Sequence, residues 1–79
     1  MEIKVYGSGC ANCKKLLDNV ERACRELSFN AKVDYVTDTM EIVNAGLMRT
    51  PGLMMNGKIV AYGRVPNVEE IKKLIEANQ

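Results

Sequence analysis

The chain has 79 residues, of which 47% are hydrophobic and 27% are charged, and its formal net charge is +1. This length predicts a single domain, residues 1–79, with a small core. The near-neutral charge is atypical of nucleic-acid-binding proteins, in which a basic surface usually dominates, and no apolar run approaches the ~20 residues of a membrane-spanning helix.

The first half of the chain predicts a strand, a helix and a second strand. Residues 2–6 alternate polar and apolar side chains, as a half-buried strand does. Residues 11–27 place apolar side chains at spacings of three and four, which predicts an amphipathic helix. Residues 31–36 predict the second strand. Since parallel strands need a long crossover, these elements form a parallel βαβ unit.

A short helix is predicted next, at residues 39–45. Asp38 is a suitable N-cap, and Gly46 suits the left-handed position that follows a helix. Met40, Val43 and Leu47 mark the side of this helix that we expect to be apolar and packed.

The last third of the chain predicts a hairpin and a final helix. Asn56-Gly57 separates the apolar runs 53–55 and 58–62, and this dipeptide is a strong hairpin signal. Asn67, with Glu70 three residues later, predicts the N-cap of a helix whose apolar stripe contains Val68, Ile71, Leu74 and Ile75. The fold class is therefore α/β: a β-α-β-α-β-β-α order with a four-stranded mixed sheet flanked by three helices.

Two of the three cysteines, Cys10 and Cys13, lie at the junction of the first strand and the first helix. The N-terminus enters a strand without the basic and apolar segments of a signal peptide, so we expect a cytoplasmic protein. In a reducing compartment, closely spaced cysteines are typical of catalysis or metal binding rather than of a disulfide scaffold. The absence of histidine excludes Cys/His zinc sites and His-assisted nucleophiles.

The spacing of the two thiols is suited to redox chemistry. A thiol at a helix N-terminus is near unpaired N–H groups and the positive end of the helix dipole, which favour the thiolate. We therefore assign Cys10 as the nucleophile and Cys13, one turn further on the apolar face, as the resolving thiol. Cys24 lies about three turns beyond Cys13, ~16 Å along the helix, too far for a disulfide, and we interpret it as a core residue.

The same residues leave other hypotheses open. Two thiolates suit Cu(I), and copper-chaperone domains also place Gly-x-x-Cys-x-x-Cys between a strand and a helix. That fold, however, runs β-α-β-β-α-β and ends on a strand. A third possibility is an interaction domain in which the cysteines do no chemistry.

Together, the element order, the Cys10-Ala11-Asn12-Cys13 motif and Thr50-Pro51 before the third strand resemble the thioredoxin/glutaredoxin-like superfamily, along essentially the whole chain. The likeness is strongest to small prokaryotic redox-active disulfide proteins. It implies a cis Pro51 opposite the cysteines and a Thr50 that offers backbone groups to a substrate. By the same resemblance, Ala11 and Asn12 would contact the substrate.

Tyr6 is a further candidate for the substrate site, although an aromatic residue at a strand end more often serves packing. The sequence departs from the family in its Ala11-Asn12 centre, which is neither Gly-Pro nor Pro-Tyr. It also offers only Glu2 and Lys4 where thioredoxins keep a buried acid near the dithiol.

The resemblance implies a thiol-disulfide oxidoreductase of the protein disulfide reductase type. We expect its partners to be a disulfide-containing protein substrate and a reductase, with no nucleic acid and no membrane. We also expect a monomer without a cofactor.

Overall fold

A computed structural model describes residues 1–9 and 11–78. Its elements are β1 (Glu2–Tyr6), α1 (Ala11–Glu26), β2 (Lys32–Val36), α2 (Thr39–Asn44), β3 (Gly52–Met55), β4 (Lys58–Tyr62) and α3 (Val68–Ala77). This order confirms the predicted fold class, with element ends that differ from the predicted ones by at most one residue. It differs from the β-α-β-β-α-β order of copper-chaperone domains.

The four strands form one mixed sheet in the order β2-β1-β3-β4. β1 pairs with β2 in parallel and with β3 antiparallel, while β3 and β4 form the antiparallel hairpin. Asn56 and Gly57 have φ values of 50° and 82° at the hairpin turn. Both residues therefore adopt the left-handed conformation that the Asn-Gly dipeptide favours.

Alternation along β1 divides the core between two faces of the sheet. Ile3 and Val5 lie in the main cluster, which also contains the buried residues of α1 and α3. Tyr6 instead packs with Ile42 and Leu47 in a smaller cluster under α2. The sheet therefore has two helices on one face and the short α2 on the other.

The predicted buried side of α2 is wrong for two of its three residues. Met40 and Val43 are 66% and 60% exposed, whereas Leu47 is buried as expected. Ile42 is the buried residue of α2 itself. With only six residues, this helix contacts the sheet along a narrow stripe, and the position of the sheet decides which stripe is buried.

The N-caps of α2 and α3 are as predicted. The Asp38 side chain accepts a hydrogen bond from the Met40 amide at 2.8 Å, and the Asn67 side chain accepts one from the Glu70 amide at 2.8 Å. These contacts satisfy amides that have no partner within the helix. None of the helices in the described ranges combines the length and hydrophobicity needed to cross a bilayer.

Candidate functional site

Backbone hydrogen bonds bring four loops together at the carboxyl end of β1. The Gly7 amide donates to the Val36 carbonyl at the end of β2, at 3.0 Å. Tyr6 is paired with Gly52 at the start of β3, so residues 50–51 enter the sheet beside residues 7–9. The Gly63 amide donates to the Pro51 carbonyl at 2.9 Å and adds the loop after β4.

Cys13 is fully buried in the first turn of α1, behind this cluster of loops. Its position depends on Gly7, because a Cβ at residue 7 would stand 2.6 Å from the Cys13 Cβ and closer still to its Sγ. The sequence indicated a turn at Gly7 but gave no sign of this close approach. A glycine directly after a strand is the only signal that could have suggested it.

The predicted nucleophile, Cys10, lies outside the described residues. Its neighbours Ala11 and Asn12 are the first two residues of α1, and both are exposed. Lys14 and Lys15 follow on the exposed side of the same helix.

The Thr50-Pro51 peptide bond is cis, as the resemblance implied. Thr50 is exposed and Pro51 is buried. Through the pairing of Tyr6 with Gly52, both residues lie at the end of the sheet where α1 begins.

Tyr6 is positioned for packing rather than for contact with a substrate. Its side chain is 5% exposed within the cluster under α2. The hydroxyl donates a hydrogen bond to the Met54 Sδ at 3.6 Å. We therefore treat Tyr6 as a core residue.

Cys24 lies in the main core cluster, as predicted. Burial raises the pKa of its thiol, and the nearby carboxylate of Glu21 raises it further. Both effects disfavour the reactive thiolate, so Cys24 behaves as a small apolar side chain.

Among the described residues, no charged side chain is buried. Glu2 and Lys4, on β1, pair with each other at 3.7 Å with their side chains 54% and 35% exposed. Neither therefore takes the place of the buried acid of thioredoxins, in agreement with the departure noted in the sequence.

Comparison with known proteins agrees with the family resemblance seen in the sequence. The family described as "Thioredoxin domain" matches residues 1–76. A thioredoxin of Methanothermobacter thermautotrophicus is 41% identical over 75 residues, which cover 95% of this chain and 97% of that protein. A thioredoxin of Methanocaldococcus jannaschii is 37% identical over 75 residues, which cover 95% of this chain and 86% of that protein.

Proposed function

The chain belongs to the thioredoxin domain family, and from this premise we propose that it is a thiol-disulfide oxidoreductase that uses Cys10 and Cys13 to reduce disulfides in protein substrates. The observation that carries this proposal is the burial of Cys13 in the first turn of α1, three residues after a second cysteine. The position of Thr50 and Pro51 at the same end of the sheet supports it.

The reaction proceeds by two thiolate attacks. The Cys10 thiolate attacks one sulfur of the substrate disulfide, so that a mixed disulfide forms and the other substrate sulfur leaves as a thiolate. The Cys13 thiolate then attacks the Cys10 sulfur, which forms the Cys10–Cys13 disulfide and releases the second substrate thiol. Two electrons have passed to the substrate, and a reductase must return two electrons to restore the dithiol.

The described residues supply the setting for these steps. Cys13 is shielded from solvent, so a bulky external disulfide has no direct access to its sulfur, and it suits the resolving role. Exposed Thr50 offers backbone groups at the loop that precedes β3, where an extended substrate segment would lie. Ala11 and Asn12 would form the opposite side of that binding site.

The experiment is insulin reduction with dithiothreitol as the electron source. We expect C10S to lose the activity, and we expect C13S to accumulate a mixed disulfide that mass spectrometry detects. The matched control is C24S, which should retain wild-type activity because Cys24 lies in the core cluster away from the loops. Activity retained in C10S, or absent from the wild type with any reductant, would exclude the mechanism.

A further inference from the structure

Exposed apolar side chains are concentrated on the α2 side of the sheet. In residues 1–9 and 11–78, the large hydrophobic side chains that are well exposed are Met40, Val43, Met48 and Tyr62. They belong to α2, to the loop after it and to the end of β4, and none belongs to α1 or α3. Met48 is the most exposed of them, at 96%.

Two of these residues line a pocket. Its volume is about 300 Å³, and its lining consists of Gly46, Leu47, Met48, Ile59 and Tyr62. Leu47 and Ile59 belong to the packed cluster under α2 and form the floor of the pocket, while the exposed Met48 and Tyr62 form its solvent-facing wall. A pocket with an apolar floor and wall suits an apolar side chain from a partner.

The pocket adjoins the proposed substrate site. Tyr62 is paired with Gly52, and the Gly63 amide donates to the Pro51 carbonyl at 2.9 Å. Met48 precedes Thr50 by two residues in the chain. A substrate segment bound at Thr50 and Pro51 would therefore pass beside the pocket.

Arg49 adds a positive charge beside the same pocket. Its Cδ and Cβ atoms lie 3.2 and 3.5 Å from the position that a Cβ on Gly63 would occupy, so the side chain lies along the end of β4. Gly63 has φ +69°, and both its conformation and its missing side chain permit this contact.

Arg49, like Arg25, differs from the other two arginines of the chain, which pair with glutamates. Arg22 and Arg64 each hold a glutamate at 2.9 Å. Among the described residues, no carboxylate pairs with the exposed Arg49. A guanidinium in this state is available to a carboxylate of a partner, which it can bind with two parallel hydrogen bonds.

We propose that Met48, Tyr62 and Arg49 form a docking site that selects the protein substrate. The pocket takes an apolar side chain near the substrate disulfide, and Arg49 pairs with a neighbouring Asp or Glu carboxylate. The occupant is thus an extended, disulfide-containing segment that carries an apolar residue with an acidic residue next to it. This inference rests on the proposed function, because it places the substrate at Thr50 and Pro51.

The test uses three peptides that contain one disulfide and differ in the two residues beside it: Leu-Glu, Leu-Gln and Ser-Glu. We expect the wild type to reduce the Leu-Glu peptide with the highest kcat/KM. The advantage over Leu-Gln should be about two- to fivefold, as for an exposed ion pair, and should fall with added salt. The advantage over Ser-Glu should be about fivefold or more, from burial of the leucine.

Variants of Arg49, Met48 and Tyr62 test which residue is responsible for each of the two peptide preferences. R49Q should lose the preference for Glu over Gln, and R49K should restore part of it. M48S and Y62S should lower the preference for Leu over Ser. The matched control is R25Q, which should keep both preferences. Arg25 is exposed and lies in the last turn of α1, at the end of the helix away from the two cysteines.

Thioether analogues of the same peptides separate docking from chemistry, because they bind without being reduced. If the wild type binds the Leu-Glu analogue more tightly than the Leu-Gln and Ser-Glu analogues but reduces none of the disulfide peptides, the result would support docking and contradict the proposed function. Turnover of all three peptides with the same preferences in the wild type and in R49Q, M48S and Y62S would overturn the docking site. A wild-type dimer that M48S converts to monomer, with unchanged preferences, would also overturn it, because a second copy would then occupy the pocket.

Discussion

Cys13 can be buried against the end of β1 because Gly7 has no side chain. The thiol occupies the space that a Cβ on residue 7 would need, and Gly7 itself is buried. Gly52 plays the same role on the other face, where a Cβ would stand 2.6 Å from the Leu47 Cδ1. At both positions a glycine next to a strand end allows a core side chain to contact the backbone.

We expect Gly7→Ala to destabilise the protein by about 1–3 kcal/mol, since the added methyl overlaps the Cys13 side chain and forces the strand end and helix apart. Urea unfolding measures this change. The matched control is Ser8→Ala, at the exposed neighbouring position, which should change the free energy of unfolding by less than about 0.5 kcal/mol. Equal effects of the two substitutions would contradict the role of Gly7.

Two helices end in the same motif but with different residues. After α1, the Phe29 amide donates to the Cys24 carbonyl at 2.8 Å, and the residue in the left-handed conformation is Ser28, with φ 51°. After α2, the Leu47 amide donates to the Ile42 carbonyl at 3.3 Å, and that residue is Gly46. Both are Schellman motifs, in which glycine is favoured because it has no Cβ to strain.

We expect Ser28→Gly to stabilise the protein by about 0.5–1 kcal/mol, since glycine removes the left-handed strain of serine at some cost in unfolded-state entropy. The reverse change, Gly46→Ser, should destabilise it by a similar amount, because no atom lies within 4 Å of the added Cβ and only the backbone is affected. Thermal and urea unfolding of the two variants measure both changes in stability. If Ser28→Gly is neutral or destabilising, the serine is not strained.

An ion-pair network on the protein surface joins the two long helices, α1 and α3. Lys72 of α3 pairs with Glu26 at the end of α1 and with Glu69 at 3.4 Å, while Arg22 pairs with Glu26 at 2.9 Å. Hydrogen bonds from Lys72 and Arg22 hold the pKa of Glu26 below its usual value, and the bond to Glu26 raises the pKa of Lys72. The network therefore favours the charged state of both groups in the folded protein.

The lowered pKa of Glu26 predicts how stability changes with acid. A carboxyl group whose pKa is lower in the folded state stabilises the fold above its unfolded pKa, and the contribution is lost as pH falls through the folded pKa. Glu26→Gln should therefore lower the Tm at neutral pH, and the difference from wild type should shrink in acid and at high salt. Glu76→Gln, at an exposed position with no described ion pair, is the control. A difference independent of pH would contradict the linkage.

The sequence by itself determined the order of the elements and most of their ends. Periodicity placed the strands and helices, and the local chemistry of Asp38, Asn67 and Asn56-Gly57 fixed two caps and the hairpin. These signals are readable because they depend on residues within a few positions of one another. The resemblance, not the residue pattern, predicted the cis bond at Pro51.

The tertiary structure decided which atoms meet between distant elements. The sheet buries Ile42 and exposes Met40 and Val43, although the spacing of α2 permits either side. Only the folded chain places Cys13 against Gly7, and Arg49 along Gly63 beside the pocket. Such contacts depend on how the strands are ordered. The sequence shows where the glycines are, but the local pattern does not show which distant side chain will pack against each of them.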